Sequence, residues 1–161
     1  MVSLKNKSKG FTIVELLIVI VVIGILATLV IVTFTGIQQK ARDSKRKTDI
    51  SAIQASLESY YSSNNTYPTV ADLNSSTWLA ANMKGFDTNA LKDPKGNAST
   101  VVGGQTPSGT QYAYVVTDTL GTLASPTTCS DTAGATNPCT NFGIYAKLES
   151  DGSTISKVSN N

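Results

Sequence analysis

The chain has 161 residues, 13 basic and 11 acidic side chains, no histidine and two cysteines, which is one domain's worth at about 100 to 200 residues per domain. Without histidine, triads, zinc sites and imidazole switches in their ordinary forms are excluded. The remaining acids, lysines and serines fall into no catalytic motif, so the sequence reads as a non-enzyme with no cofactor.

The first predicted element is an apolar helix. Phe11 to Phe34 holds most of the large aliphatic residues, and no charge occurs between Leu16 and Gln39. As a helix, that run is about 36 Å long against a hydrocarbon core of about 30 Å. A buried core helix is seldom apolar all round, and a secretory signal has an apolar region of only about 7 to 15 residues. A membrane span is therefore expected. Three lysines precede it, Lys5, Lys7 and Lys9; Lys40, Arg42, Lys45, Arg46 and Lys47, less Asp43 and Asp49, follow it. With equal surpluses on the two sides, the positive-inside rule does not set orientation. The larger, cysteine-bearing part lies C-terminal, which places the short end in the cytoplasm. The block after the span, KARDSKRK, reads as a solvated helix face near anionic headgroups rather than a nucleic-acid site, because no aromatic or base-reading residue accompanies it.

Helical periodicity continues through Ile50, Ile53, Leu57 and Tyr60, with Ile37 and Ala41 on nearby turns. No proline stands between Phe11 and Tyr67, and Ser62 to Asn65 followed by Tyr67-Pro68 is the first strong stop. One helix of about 50 residues is expected, apolar all round in its first half and amphipathic in its second. Thr69 to Met83 suggests a short helix or turn, and Asp93-Pro94-Lys95-Gly96-Asn97 a turn. Gln111–Thr117 and Phe142–Leu148 alternate like strands, and Thr154–Val158 can pair with the latter across Asp151-Gly152. The sheet these form is expected to be antiparallel, with Ile50, Ile53, Leu57 and Tyr60 covering its apolar face.

Cys129 and Cys139 suit a disulfide in a chain that leaves the cytoplasm; a metal or redox pair has no C-x-x-C spacing to support it. Asp93, Asp118, Asp131, Glu149 and Asp151 form no recognisable calcium loop and read as solvated acids, with calcium binding left open. Glu15 is different. A carboxylate one turn inside an apolar span is costly and calls for a partner.

Around it, Lys9-Gly10-Phe11-Thr12-Ile13-Val14-Glu15 resembles the processing site of type IV prepilins and pseudopilins, and the likeness extends from Lys5 to about Tyr67. Tyr60-Tyr61, Asn65-Thr66-Tyr67-Pro68, Asp93-Pro94-Lys95-Gly96-Asn97 and Tyr112-Ala113-Tyr114 resemble the pattern of major pseudopilins of type II secretion and of many pilins from Gram-positive and other bacteria, whereas the Cys129 to Cys139 loop resembles the disulfide-bounded loop of pilus subunits. The family's distal-helix proline is absent.

This resemblance implies an α+β type IV pilin fold: a leader over residues 1–10, an apolar membrane and assembly half-helix over 11–36, an amphipathic half over 37–63, and a head over 64–161. It implies cleavage by prepilin peptidase after Gly10, N-methylation of Phe11, and pairing of Glu15 with a neighbouring subunit's amine. The first expectation is a major pilin serving adhesion, motility or DNA uptake; the second is a pseudopilin of a secretion or competence system; the third is a membrane-tethered protein whose head binds a surface, glycan or DNA ligand. The expected partners are copies of the chain in a helical filament, the peptidase, an inner-membrane assembly platform and the lipid bilayer. The precursor is expected in the cytoplasmic membrane and the assembled form in a surface pilus.

Overall fold

In a computed structural model, residues 10–118, 122–123, 128–132 and 134–160 are described. Helix α1 runs Ile13–Asn64 over 52 residues. It stops where the sequence indicates: Asn65 takes a left-handed φ of 56°, its amide bonds back to Tyr61, and Tyr67-Pro68 then forbids further helix. The chain divides into two compact units at Gln38/Gln39.

The described part of the first unit is the start of α1, and none of its residues is buried. Ile13 is 85% exposed and Ile37 63%, so this stretch lacks any inward face. Its three threonines turn their hydroxyls onto their own helix: Thr28 donates to Ile25 O at 2.8 Å, Thr33 to Leu29 O at 3.0 Å and Thr35 to Val32 O at 2.9 Å. Each of these hydroxyls is thereby satisfied locally, as an apolar solvent requires.

The second unit contains the rest of α1, α2 (Val70–Leu73), α3 (Ser76–Asn82), a 3-10 turn at Thr88–Leu91, and strands β1 (Val102–Gly103), β2 (Ala113–Thr117), β3 (Asn141–Lys147) and β4 (Thr154–Val158). The strands form one sheet in the order β1-β2-β3-β4. The α+β pilin-type architecture is therefore observed. β2–β3 and β3–β4 pair antiparallel, as expected, but β1 adds in parallel and makes the sheet mixed. A strand of two residues is too short to show alternation, so nothing in the sequence announces it.

Ile50, Ile53 and Leu57 of α1 pack with Tyr112 and Tyr114 of the β2 segment and Phe142 and Ile144 of β3 in one buried cluster. Ile37 and Ala41 do not join it, being exposed. On the buried side of the intervening turns stand Asp43, Arg46 and Asp49, so the helix meets the head through apolar residues at one end of their interface and charged ones at the other. Cys129 and Cys139 form a disulfide. Cys139 is anchored beside the end of α1, with its carbonyl accepting from Tyr67 N at 2.8 Å and its amide donating to Thr66 Oγ1 at 3.0 Å.

Candidate functional site: the helix start and a buried ion cluster

At the N-terminal end of the described chain, Thr12 caps α1. The Glu15 amide donates to Thr12 Oγ1 at 3.2 Å, while Glu15 Oε2 accepts from the Thr12 amide at 2.9 Å and its hydroxyl at 2.8 Å. These reciprocal bonds are a capping box, which satisfies orphan donors of the first turn and places an acid at the positive end of the helix dipole. Read from the sequence, Glu15 is a charge in need of a partner; the Thr-x-x-Glu pattern before an apolar run is the local signal for the cap. Both bonds from Thr12 go to Oε2, which leaves Oε1 accepting none of the hydrogen bonds among the described residues. The box thus holds the side chain against the first turn of α1.

Phe11 is 82% exposed. Gly10 has no described atom within 4 Å of where a Cβ would stand. Among the described residues, neither packing nor a positive φ requires glycine at position 10.

In the second unit, the KARDSKRK block departs from the solvated face expected of it. Arg46 is fully buried and holds three carboxylates. Its Nε and Nη2 donate to Asp93 at 2.7 and 2.9 Å, and its Nη1 donates to Asp43 at 3.0 Å and Glu149 at 2.7 Å. Arg42 adds a bidentate pair to Glu149 at 2.8 and 2.9 Å, and Lys95 reaches the same carboxylate at 3.1 Å. Asp43 also accepts the amides of Glu149 and Ser150 at 2.8 and 3.0 Å, fastening the β3–β4 turn to the helix. Beside this group, Asp49 accepts from Lys45 at 2.8 Å and from the Tyr112 hydroxyl at 2.9 Å.

The cluster balances four cations, Arg42, Lys45, Arg46 and Lys95, against four acids, Asp43, Asp49, Asp93 and Glu149. Among the described residues no buried side-chain nitrogen or oxygen lacks a partner, the condition under which buried charge is tolerated. The Arg42 guanidinium, with help from Arg46 and Lys95, outweighs burial and draws the Glu149 carboxyl down to about 2. Burial raises Asp43, but the Glu149 and Ser150 amides and Arg46 win and lower it. Asp93 and Glu149 are held by arginine inside this cluster, which corrects their reading as solvated acids.

Asp131, in the disulfide-bounded loop, goes the other way: burial first, then the neighbouring Asp72, raises its pKa. The described residues contain no grouping of three or more His, Cys, Asp or Glu side chains arranged to hold a metal.

A capped helix start that is apolar all round, and a small α+β unit, are consistent with the pilin-type fold. Residues 5–31 match the family model described as the prokaryotic N-terminal methylation motif. The chain is 43% identical over 65 residues to type II secretion system core protein G of Aeromonas hydrophila, covering 40% of this chain and 46% of that protein. It is 42% identical over 64 residues to the core protein G of Escherichia coli K12, covering 40% and 44%. Against the type IV major pilin protein PilA of Myxococcus xanthus it is 35% identical over 66 residues, covering 41% and 30%. The chain thus spans less than half the length of the curated relatives it matches. No solved structure matches it significantly.

The chain therefore carries a prepilin-type methylation motif and is related through that region to pseudopilins and a pilin. Helix α1 is long and apolar enough at its start to cross a membrane. Among these relatives the pseudopilins outweigh the pilin, so the order of the first two expectations is reversed.

Proposed function

We propose that the chain is a pseudopilin-type structural subunit, assembled through the apolar start of α1 into a filament of a type II secretion-like machine, with no enzymatic activity. The observation that carries this reading is the Thr12–Glu15 capping box at the head of an exposed apolar helix, within a motif shared with the core protein G relatives. In this reading prepilin peptidase cuts between Gly10 and Phe11. A glycine that the fold itself does not require fits a requirement imposed by an external enzyme's cleft. Phe11 becomes the methylated terminus, and its amine in one copy meets the open oxygen of Glu15 in the next. Either charge alone in an apolar filament core would be heavily penalised; together they are neutral. The precursor waits in the cytoplasmic membrane with its short end inside until an assembly platform extracts it.

A second reading, the major subunit of a surface pilus, is favoured by the Cys129–Cys139 loop and by the pilin relative. Shearing cells and imaging the released material by electron microscopy separates the two: long fibres containing this chain support the pilus. For either filament, Glu15→Ala leaves membrane insertion unchanged and lowers filament yield. Filaments of that variant at the normal yield overturn the pairing.

A further inference from the structure

The second unit carries ten cationic and ten acidic side chains, so it is neutral overall, but their placement is uneven. The ion cluster gathers three stretches of chain, 40–49, 92–95 and 147–151, around the first turns of α1 in this unit. Those stretches contain eight cations and five acids, a surplus of three. The remainder of the unit has only Lys84 and Lys157 against Glu58, Asp72, Asp87, Asp118 and Asp131, a deficit of three.

Exposure sharpens the contrast. Asp43, Asp49 and Asp93 are buried at 5% or less, turned inward onto Arg46 and its neighbours. Lys40, Lys47, Lys92 and Lys147 are exposed, and Lys45 and Lys95, although paired, keep half their side-chain surface in solvent, at 51% and 53%. The cluster thus withdraws anions from this surface and leaves ammonium groups on it. Lys40 follows Ile37, the last of the exposed large apolar residues of the helix, by only three positions.

We infer that this lysine-rich end of the second unit is a seat for the anionic headgroups of the bilayer in which the unassembled subunit waits. The inference rests on the membrane-anchored reading of α1. Charge complementarity selects the occupant, because headgroup phosphates present fixed negative charge where the apolar helix ends, and cationic side chains beside a span are drawn to it. The acidic remainder of the unit is repelled by the same surface, so attraction and repulsion orient the unit in one sense. Arg46 serves this surface indirectly, by holding the acids inside.

The test uses the full chain reconstituted in vesicles of phosphatidylcholine alone or with phosphatidylglycerol, labelled with an amine acylator and read residue by residue by mass spectrometry. On anionic vesicles at low salt, Lys40, Lys47, Lys92 and Lys147 are expected to react about fivefold more slowly than on neutral ones, with Lys84 and Lys157 unchanged. Salt at 0.5 M, which shortens the Debye length to about 4 Å, removes the difference. The variant Lys40→Gln/Lys47→Gln, which touches no ion pair of the cluster, weakens protection of Lys92 and Lys147.

Equal labelling on both vesicle types overturns the seat. Equal protection from inorganic phosphate on neutral vesicles also overturns it, by assigning the patch to free anions. Protection that arises on neutral vesicles only when copies associate overturns it as well, giving the patch to a neighbouring copy's acidic end. Carbonate extraction of the same samples keeps the two readings apart: if the chain is stripped from the vesicles, the membrane-anchored reading itself fails.

Discussion

Arg46 is buried and holds three carboxylates, so it is costly to disturb. Its guanidinium has no water to fall back on, and removing it leaves Asp43, Asp93 and Glu149 facing one another in a low-dielectric setting. Breaking a buried pair from one side costs about 3 to 5 kcal/mol, and Arg46→Ala is expected to lose at least that much in a denaturant melt of the folded head. Arg46→Lys recovers little, because an ammonium cannot serve Asp93 with two parallel bonds while also reaching Asp43 and Glu149. Wild-type stability of Arg46→Lys would show that charge alone, and not the guanidinium fork, holds the cluster.

Elements differ in how much of them the sequence carries. The length of α1 was legible because a proline-free run ending in Ser62-Ser63-Asn64-Asn65 leaves only one place to stop, and Asn65 in the left-handed region confirms that stop. Strands β2, β3 and β4 were legible through alternation and the Asp151-Gly152 turn. Two things were not. β1 offers only two residues of pattern, and its parallel partner lies across a loop. The burial of Arg46 depends on acids 47 and 103 positions away, so a local window sees only a run of charge. The helix-start cap was local and could have been read from Thr12 and Glu15.

At the same scale, the Cys129–Cys139 bridge closes a short loop, for which the chain-entropy model gives about 2 to 3 kcal/mol. Replacing both cysteines by serine is expected to lower thermal stability by that amount, and the same loss should follow reduction of the wild type. Amide exchange should quicken first at Cys139 and Tyr67, whose backbone groups the bridge helps hold in register.

For the whole molecule, two carboxylates impose opposite pH dependences. Glu149, drawn from 4.5 down to about 2, contributes stability that is complete above about 4.5 and lost as pH falls through about 2. Asp131 is raised above its ordinary 3.8 by burial and Asp72, so the folded state binds its proton more tightly than the unfolded one. It therefore costs nothing below 3.8 and imposes its full penalty only above its raised value. Asp131→Asn is expected to raise the melting temperature at neutral pH and to leave it unchanged near pH 3. A variant melting with the wild type at both pH values would show that Asp72 and Asp131 do not oppose one another.

The ion cluster also sets an order of events during biosynthesis. Arg46 is made before Asp93, and Asp93 before Glu149. Until the ribosome has released the last hairpin, the helix face around Arg46 has no full set of counter-charges and the head cannot lock. A chain that stalls before Glu149 therefore leaves Arg42 without its carboxylate partner and Arg46 short of one, and presents a loosely held, cation-bearing helix to proteases.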